Sequence, residues 1–115
     1  MPTPYAYFKK QIVPLSEAKI GVMTHAFNYG TAVFEGVRGN WNESHEQLYV
    51  FRMKDHFDRL RKSCRIMQID LPYDNEELSS TLTRVVEMSG YQEDVYIRPL
   101  AYKSSEVLGL SLIHI

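Results

Sequence analysis

Residues 28–39 read NYGTAVFEGVRG, and apart from its glycines this stretch is typical of a strand. We predict a β-strand over residues 31–38, in which successive side chains point to opposite faces. One face of this strand would carry Ala32, Phe34, Gly36 and Arg38, and the other Thr31, Val33, Glu35 and Val37. A glycine inside a strand weakens it and usually marks a bulge or a close approach. We therefore expect another group to come close to the backbone at Gly36.

Upstream of this strand, the sequence predicts a hairpin and a loop. Two short apolar runs, YAYF at residues 5–8 and QIVPL at 11–15, flank Lys9 and Lys10. Two apolar runs around a polar pair are typical of a β-hairpin. Residues 16–30 lack a clear period, and we expect a loop that contains a short helical turn.

Downstream of it, two further strands are predicted. The polar stretch GNWNESHEQ, residues 39–47, is rich in turn residues and predicts a connection. It leads to LYVF at residues 48–51, which we expect to pair antiparallel with the strand at 31–38. Near the end of the chain, DVYIRPLAYK at residues 94–103 predicts one more strand. One face of that strand would carry Tyr96, Arg98, Leu100 and Tyr102.

Two amphipathic helices are predicted between these strands. Within residues 52–67, apolar side chains recur at steps of four and three, at Met53, Phe57, Leu60, Cys64 and Met67. Within residues 71–90, Asp74 is a plausible N-cap, Glu77 completes a capping box and Gly90 ends the helix. Its buried stripe would comprise Leu78, Leu82, Val85 and Val86. The order of elements predicts an α+β fold in which two helices pack on an antiparallel sheet.

Composition narrows the function classes. A chain of 115 residues with 44% hydrophobic residues suffices for one small domain with a core. The net charge of −1 and the absence of a nucleic-acid-binding motif or an apolar span predict neither a nucleic-acid nor a membrane partner. The single cysteine, Cys64, and the N-terminus without a signal-peptide pattern favour a cytoplasmic protein. The four histidines lack metal-ligand spacing, so no metal site is predicted.

Three arginines and two other side chains are candidates for a functional site. Arg38 and Arg98 lie on predicted strands beside aromatic residues and could bind small anions bidentately, or could simply reach solvent over an aromatic ring. Arg59 lies on a basic helix face, which is ordinarily a solvated surface. Tyr29 could orient a carboxylate or pack on the surface. Glu35 could act as a general base, but pairing with an arginine or exposure to solvent is expected more often.

Three motifs together resemble a known enzyme family. HAFNYGTAVFEGVR at residues 25–38, FRMKDHFDRLRKSCRI at 51–66 and YIRPL at 96–100 occur in this order. They are similar to the N-terminal part of the branched-chain amino acid aminotransferases, pyridoxal 5'-phosphate enzymes of fold type IV. The similarity covers residues 5–109, and it implies that residues 1–109 form the small N-terminal domain of such an enzyme.

The resemblance implies a role for each matching residue. Arg59, in HFDRL, matches the arginine that binds the cofactor phosphate. Phe34, Gly36 and Arg38 match positions that border the substrate pocket. Tyr29 and Arg98 match residues that hold the acidic side chain of glutamate, and Tyr29 is expected to reach the neighbouring subunit of a homodimer or larger homo-oligomer. Leu108 matches a loop position that lines the partner's hydrophobic pocket.

The resemblance also implies what the 115 residues lack. The family's Schiff-base lysine belongs to the large second domain, and no lysine here matches it, so no catalytic residue is expected in this chain and the fragment should be inactive. The last six residues, 110–115, read LSLIHI, which matches a translated sequencing adapter. The natural alternative is a hydrophobic C-terminus.

The substrates implied are leucine, isoleucine or valine with 2-oxoglutarate, giving the branched 2-oxo acid and glutamate. Two alternatives remain open. One is a D-amino acid aminotransferase or an aminodeoxychorismate lyase of the same fold, although both usually lack this pairing of motifs. The other is a non-catalytic α+β binding module.

Overall fold

The computed structural model describes residues 2–105, and the order of its elements is α+β as predicted. The β-strands and α-helices within these residues are β1 (Tyr5–Phe8), β2 (Gln11–Pro14), α1 (His25–Tyr29), β3 (Ala32–Phe34), β4 (Val37–Asn42), β5 (Gln47–Val50), α2 (Met53–Ile66), α3 (Asn75–Ser89), β6 (Val95–Ile97) and β7 (Leu100–Tyr102). A short 3-10 helix, Leu15–Glu17, follows β2. They form antiparallel sheets in the orders β1-β2, β3-β7 and β5-β4-β6. No helix in residues 2–105 is long and apolar enough to cross a bilayer.

The N-terminal hairpin is confirmed. Strands β1 and β2 pair around a two-residue turn at Lys9 and Lys10, whose φ angles are 51° and 65°. The hairpin is attached to the C-terminal end of α3, because the backbone N–H of Thr3 donates to the Ser89 carbonyl at 3.0 Å and that of Tyr5 to Ser89 Oγ at 3.1 Å.

The strand predicted over residues 31–38 is in fact two strands, and the same is true of residues 94–103. Phe34 pairs with Leu100 and Val37 pairs with Ile97, so the register is the same on both sides of the interruption. At the interruption, the N–H of Glu35 donates to the carbonyl of Pro99 at 3.0 Å. Proline has no N–H to return, so the hydrogen-bond ladder is broken there. The two segments therefore form one antiparallel ladder with a gap in its bonding.

The expectation that residues 39–47 form a connection is wrong for the first half of this polar stretch. Strand β4 continues to Asn42, since its residues pair with β5 on one side and Gly39 pairs with Val95 of β6 on the other. The turn itself occupies residues 43–46, where Asn42 Oδ1 accepts from the N–H of His45 at 2.9 Å. The second strand is confirmed as antiparallel, but its partners are residues 39–42 of β4 and not the predicted residues 31–38.

Both predicted helices are confirmed, with one exception on the first apolar stripe. Helix α2 ends at Ile66, so Met67 lies beyond the helix and is 37% exposed. Helix α3 begins with the predicted capping box, in which Asp74 accepts from the N–H of Glu77 and the Glu77 carboxylate accepts from the N–H of Asp74. It ends at Gly90 in the left-handed conformation.

The core lies between the two helices and one face of the ladder. Its buried members are Phe57, Leu60, Cys64, Ile69 and Leu82. Partly buried side chains from the sheets and helices pack against it: Val33, Val50, Met53, Leu71, Leu78, Val86, Ile97 and Ala101. Burial of the apolar faces of α2 and α3 against the sheet is the main stabilising term of this arrangement.

Candidate functional site

The antiparallel ladder presents two different faces. In such a pair, side chains directly opposite one another lie on the same side of the sheet. Phe34 lies opposite Leu100 and Arg38 lies opposite Tyr96, and the same register places Gly36 opposite Arg98. These six residues share one side of the ladder, which we call the outer face: Phe34, Gly36, Arg38, Tyr96, Arg98 and Leu100. The alternate residues, Val33, Glu35 and Val37, point to the core side, which we call the inner face.

The outer face combines exposed aromatic rings with a guanidinium group. The Arg98 guanidinium carbon lies 4.6 Å from the centroid of the Phe34 ring and 5.5 Å from that of Tyr96. Both rings are more than half exposed. Cation–π contacts of this kind hold an arginine over a ring while its N–H donors remain available to an anion. The expectation that Arg98 lies beside aromatic residues is confirmed.

The group that comes close to Gly36 is the Tyr96 ring. A Cβ atom at this position would lie 2.6 Å from Tyr96 Oη and 2.9 Å from the nearest ring carbon. Real Cβ atoms do not approach other atoms so closely, so a side chain at position 36 would displace the ring. The close approach expected from the sequence is found, and the absence of a side chain at Gly36 leaves room for the Tyr96 ring. That Gly36 also borders the substrate pocket stays a prediction.

The inner face carries a buried carboxylate. Glu35 is 4% exposed, and it accepts from Arg59 Nε at 2.8 Å and from Arg59 Nη2 at 2.7 Å. His56 Nδ1 lies 2.8 Å from the same oxygen that Nη2 contacts. Since an ionised carboxylate only accepts, Nδ1 carries the proton of this bond. The expectation that Glu35 pairs with an arginine is confirmed, and the alternative of exposure to solvent is wrong because the alternation places it on the inner face.

The charge on Glu35 is stabilised by its partners. The bidentate bond from Arg59 lowers the pKa of the Glu35 carboxyl, and the bond from His56 lowers it further, against the opposing effect of burial. In the same way, Glu35 raises the pKa of Arg59. The carboxylate is therefore ionised at neutral pH although it is buried.

The donors of Arg59 fit a phosphate group. Its side chain is 67% exposed, in contrast to the buried carboxylate behind it. Of the five N–H donors of an arginine, two are used by Glu35, which leaves three without a partner among residues 2–105. A planar guanidinium with free N–H groups matches phosphate oxygens, and its charge is permanent.

Tyr29 lies apart from the outer face, on the short helix α1. This helix is fixed to the end of the ladder, because the N–H of His25 donates to the Ser105 carbonyl at 2.6 Å and that of Ala26 to the Lys103 carbonyl at 3.1 Å. The Tyr29 ring packs against that of His25, with centroids 4.7 Å apart, and is 54% exposed. Within residues 2–105, no hydrogen bond, ion pair or ring contact joins Tyr29 to the outer face.

The structure thus groups some of the predicted site residues and separates others. Phe34, Gly36, Arg38 and Arg98 lie together on the outer face. Arg59 bonds to the inner face through Glu35. Leu108 and residues 110–115 lie outside the described residues.

Two contributors were missed from the sequence. The sequence places Tyr96 on the correct face, and its period-two spacing from Arg98 indicates that the two are neighbours, but it assigns Tyr96 no role. The spacing of the histidines bears only on metal binding and assigns no role to His56. Its position three residues before Arg59 on a helix places both side chains on one face, which is the signal that could have paired them.

A family model described as amino-transferase class IV matches residues 32–112, which is most of the chain. The chain belongs to the class IV aminotransferase family. The matched region contains the ladder, both long helices, and all the predicted site residues except Tyr29. The resemblance drawn from the three sequence motifs is therefore confirmed at the level of the family.

The curated proteins to which this chain is similar include branched-chain-amino-acid aminotransferases. A probable branched-chain-amino-acid aminotransferase of Aquifex aeolicus is 48% identical over 98 residues, covering 85% of this chain and 32% of the relative. The branched-chain-amino-acid aminotransferase of Escherichia coli K12 is 34% identical over 107 residues, covering 93% of this chain and 34% of the relative. The chain thus spans about a third of the length of the curated relatives it matches.

Solved structures agree on the fold. The branched-chain aminotransferase of Thermoproteus uzoniensis with norvaline superposes with a TM-score of 0.88 at 42% identity, covering 96% of this chain and 36% of that one. The branched-chain amino acid aminotransferase of Thermobaculum terrenum in its PLP form superposes with a TM-score of 0.79 at 34% identity, covering 88% and 33%. These neighbours are fold type IV aminotransferases, so the predicted fold is confirmed.

Proposed function

We propose that residues 1–109 are the small N-terminal domain of a branched-chain amino acid aminotransferase. The complete protein would transfer the amino group of leucine, isoleucine or valine to 2-oxoglutarate, giving a branched 2-oxo acid and glutamate. The names of the relatives and solved structures support this choice over the D-amino acid aminotransferases and aminodeoxychorismate lyases. The buried, unpaired Cys64 is consistent with a cytoplasmic protein.

The observation that carries the proposal is the composition of the outer face. Such an enzyme must accept a branched apolar side chain in one half of its reaction and the acidic side chain of glutamate in the other. Phe34 and Leu100 offer apolar surface, and both are about half exposed. Arg98, held over the Phe34 ring, adds a positive charge at the edge of that surface. An apolar wall with a charged rim can receive both kinds of side chain.

The cofactor of this reaction would be pyridoxal 5'-phosphate, whose ring acts as an electron sink for the substrate carbanion. In this chain, Arg59 would hold its phosphate with the N–H groups that Glu35 leaves free. Phe34, Gly36 and Arg38 would border the substrate side of the pocket, and Arg98 would bind the side-chain carboxylate of glutamate together with Tyr29. Tyr29, exposed on α1, would reach the site of a neighbouring subunit in a homodimer, and Leu108 would line the partner's pocket.

The reactive lysine would belong to a large domain encoded after residue 109, and the fragment alone would be inactive. Sequencing the source gene through and past codon 109 tests this part of the proposal. An open reading frame that continues with a lysine-containing second domain, and departs from LSLIHI at residues 110–115, would support it. A natural stop codon after Ile115 would refute it.

The activity is tested on the protein encoded by the complete gene. Purified enzyme with pyridoxal 5'-phosphate is given L-leucine, L-isoleucine or L-valine with 2-oxoglutarate, and glutamate is measured. D-Alanine with 2-oxoglutarate and aminodeoxychorismate serve as the competing substrates. Turnover of the L-branched amino acids well above both competitors is expected, and preferential turnover of either competitor would overturn the assignment.

A further inference from the structure

Glu35 occupies a position where stability alone favours an apolar residue. It lies on the inner face between Val33 and Val37, and it is nearly inaccessible to solvent. Removing a carboxylate from water is costly, and an apolar side chain at the same position would avoid that cost. A buried carboxylate in the gap between β3 and β4 therefore calls for a reason other than stability.

We propose that Glu35 is a positioning residue, which fixes the guanidinium of Arg59 so that its free N–H groups face the phosphate of the bound cofactor. This inference rests on the proposed function, because it assumes that Arg59 holds a phosphate. It adds a residue that does not itself touch the cofactor and acts only through Arg59.

The geometry of the three side chains supports positioning. Arg59 is bound along one edge, through Nε and Nη2, and this side-on contact fixes the plane of the guanidinium. The two partners differ in exposure, at 4% for Glu35 and 67% for Arg59, so the anchored edge is inside and the free edge is outside. His56 binds the carboxylate as well and restrains its rotation.

Because Glu35 already holds Arg59 in the folded chain, this long and flexible side chain could serve as a fixed ligand. An unrestrained surface arginine loses rotamer freedom when it binds an anion, and this loss reduces affinity. Arg59 has already lost this rotamer freedom when the chain folds, because Glu35 binds its guanidinium. The lowered pKa of Glu35 means that the anchor remains charged at the pH values where the enzyme would work.

Positioning and charge screening predict opposite results. If Glu35 only screened the charge of Arg59, its neutralisation would strengthen phosphate binding. If Glu35 positions Arg59, its neutralisation releases the guanidinium and weakens phosphate binding. The substitution Glu35→Gln separates the two, because it keeps the size of the side chain but removes the charge and one of the two acceptors.

The experiment compares two ligands on the apo form of the full-length enzyme. Pyridoxal 5'-phosphate and pyridoxal differ only in the phosphate, and the ratio of their dissociation constants, measured by absorbance titration, reports the phosphate contact. Glu35→Gln is expected to weaken the binding of pyridoxal 5'-phosphate by roughly 2- to 10-fold and to leave the binding of pyridoxal unchanged. If Glu35 had only a structural role, Glu35→Gln would weaken the binding of both ligands equally. Asp55→Asn, which removes an exposed carboxylate of α2 paired with Arg52, is the matched control.

A second variant covers the case in which Glu35→Gln does not fold. His56→Leu leaves both groups of the Arg59–Glu35 bond in place and removes the second donor to the carboxylate, so it should change the ratio in the same direction by a smaller factor. An unchanged ratio in the folded variants, or tighter binding of pyridoxal 5'-phosphate in Glu35→Gln, would overturn the inference.

Failure of the proposed function gives a different pattern. If the wild-type enzyme binds both ligands equally, or if Arg59→Met leaves the ratio unchanged, Arg59 does not hold the phosphate and the proposed role of Arg59 is wrong. If Arg59→Met abolishes the preference and Glu35→Gln does not change it, only the positioning role of Glu35 is wrong.

Discussion

The two faces of the ladder are built from alternate residues of the same two segments, yet they differ in almost every physical respect. The inner face lies against the hydrophobic core, contacts α2 through β3, and holds the charge of Glu35 between two partners. The outer face exposes two aromatic rings to solvent and keeps an arginine over them. Neighbouring residues such as Phe34 and Glu35 therefore serve different purposes. The residues proposed to border the substrate lie on the outer face, whereas the carboxylate that binds Arg59 lies on the inner face.

The largest expected contrast is between two phenylalanines. Phe57 is 2% exposed and packs against the inner face, whereas Phe34 is 55% exposed on the outer face. Phe57→Ala should lower the free energy of unfolding by about 3–5 kcal/mol, because it removes buried apolar surface and leaves a cavity. Phe34→Ala should lower it by less than about 1 kcal/mol. Chemical denaturation of both variants of the 115-residue chain measures the contrast, and equal losses would contradict the division into two faces.

A smaller effect is expected at the glycine of the outer face. Gly36→Ala forces the Tyr96 ring to move, at an expected cost of about 1–2 kcal/mol in the free energy of unfolding. In a Tyr96→Ala background the same substitution should cost much less, because the obstructing ring is gone. A double-mutant cycle in urea measures the difference. Additive effects would show that the ring does not limit position 36.

The charge of the inner face should appear as a pH dependence of stability. The partners of Glu35 hold its pKa below the ordinary value of 4.5, so its contribution is fully present above that value and is lost as the pH falls through the lowered folded-state pKa. The free energy of unfolding of the wild-type chain should therefore decrease below pH 4.5 more steeply than that of Glu35→Gln. Urea denaturation at a series of pH values is the measurement, and parallel curves would be inconsistent with the Arg59 and His56 contacts.

The smallest effect on stability is expected from the charge of the outer face. Arg98→Met removes exposed cation–π contacts, which should change the free energy of unfolding by less than about 1 kcal/mol. In the full-length enzyme the same change should lower kcat/KM for glutamate roughly tenfold or more, because a charged hydrogen bond to the side-chain carboxylate of glutamate is lost. Activity toward leucine should fall much less. Arg84→Met, at an exposed position of α3, is the control, and an equal loss for both substrates would contradict the proposed role of Arg98.

Much of the fold could be predicted because its signals are local. The capping box of Asp74 and Glu77 and the apolar period of α2 act within a few residues, and both helices formed where they were expected. The interruption at Glu35 could not be read in the same way. Its cause is Pro99, a residue 64 positions away in sequence that becomes relevant only once the two segments pair.

The same reasoning explains which parts of the site could be predicted. Alternation within one strand placed Phe34, Gly36 and Arg38 on a common face, and the structure brings Arg98 to that face. The Glu35–Arg59 bond joins a strand to a helix, and only their packing reveals the partner. The sequence alone places Arg59 among other cations on a basic helix face. Only the folded structure shows that buried Glu35 binds one edge of its guanidinium and leaves its other N–H groups free.

The unbroken register of the ladder has a consequence for changes in chain length. A one-residue insertion or deletion within β3, β4 or the residues between them would move each later side chain of the segment to the opposite side of the sheet. Such a change would exchange buried and exposed residues all at once. The turn at residues 43–46 lies at the end of β4, where added residues would leave the register intact. This ladder can therefore diverge by substitution, while insertions and deletions are confined to turns of this kind.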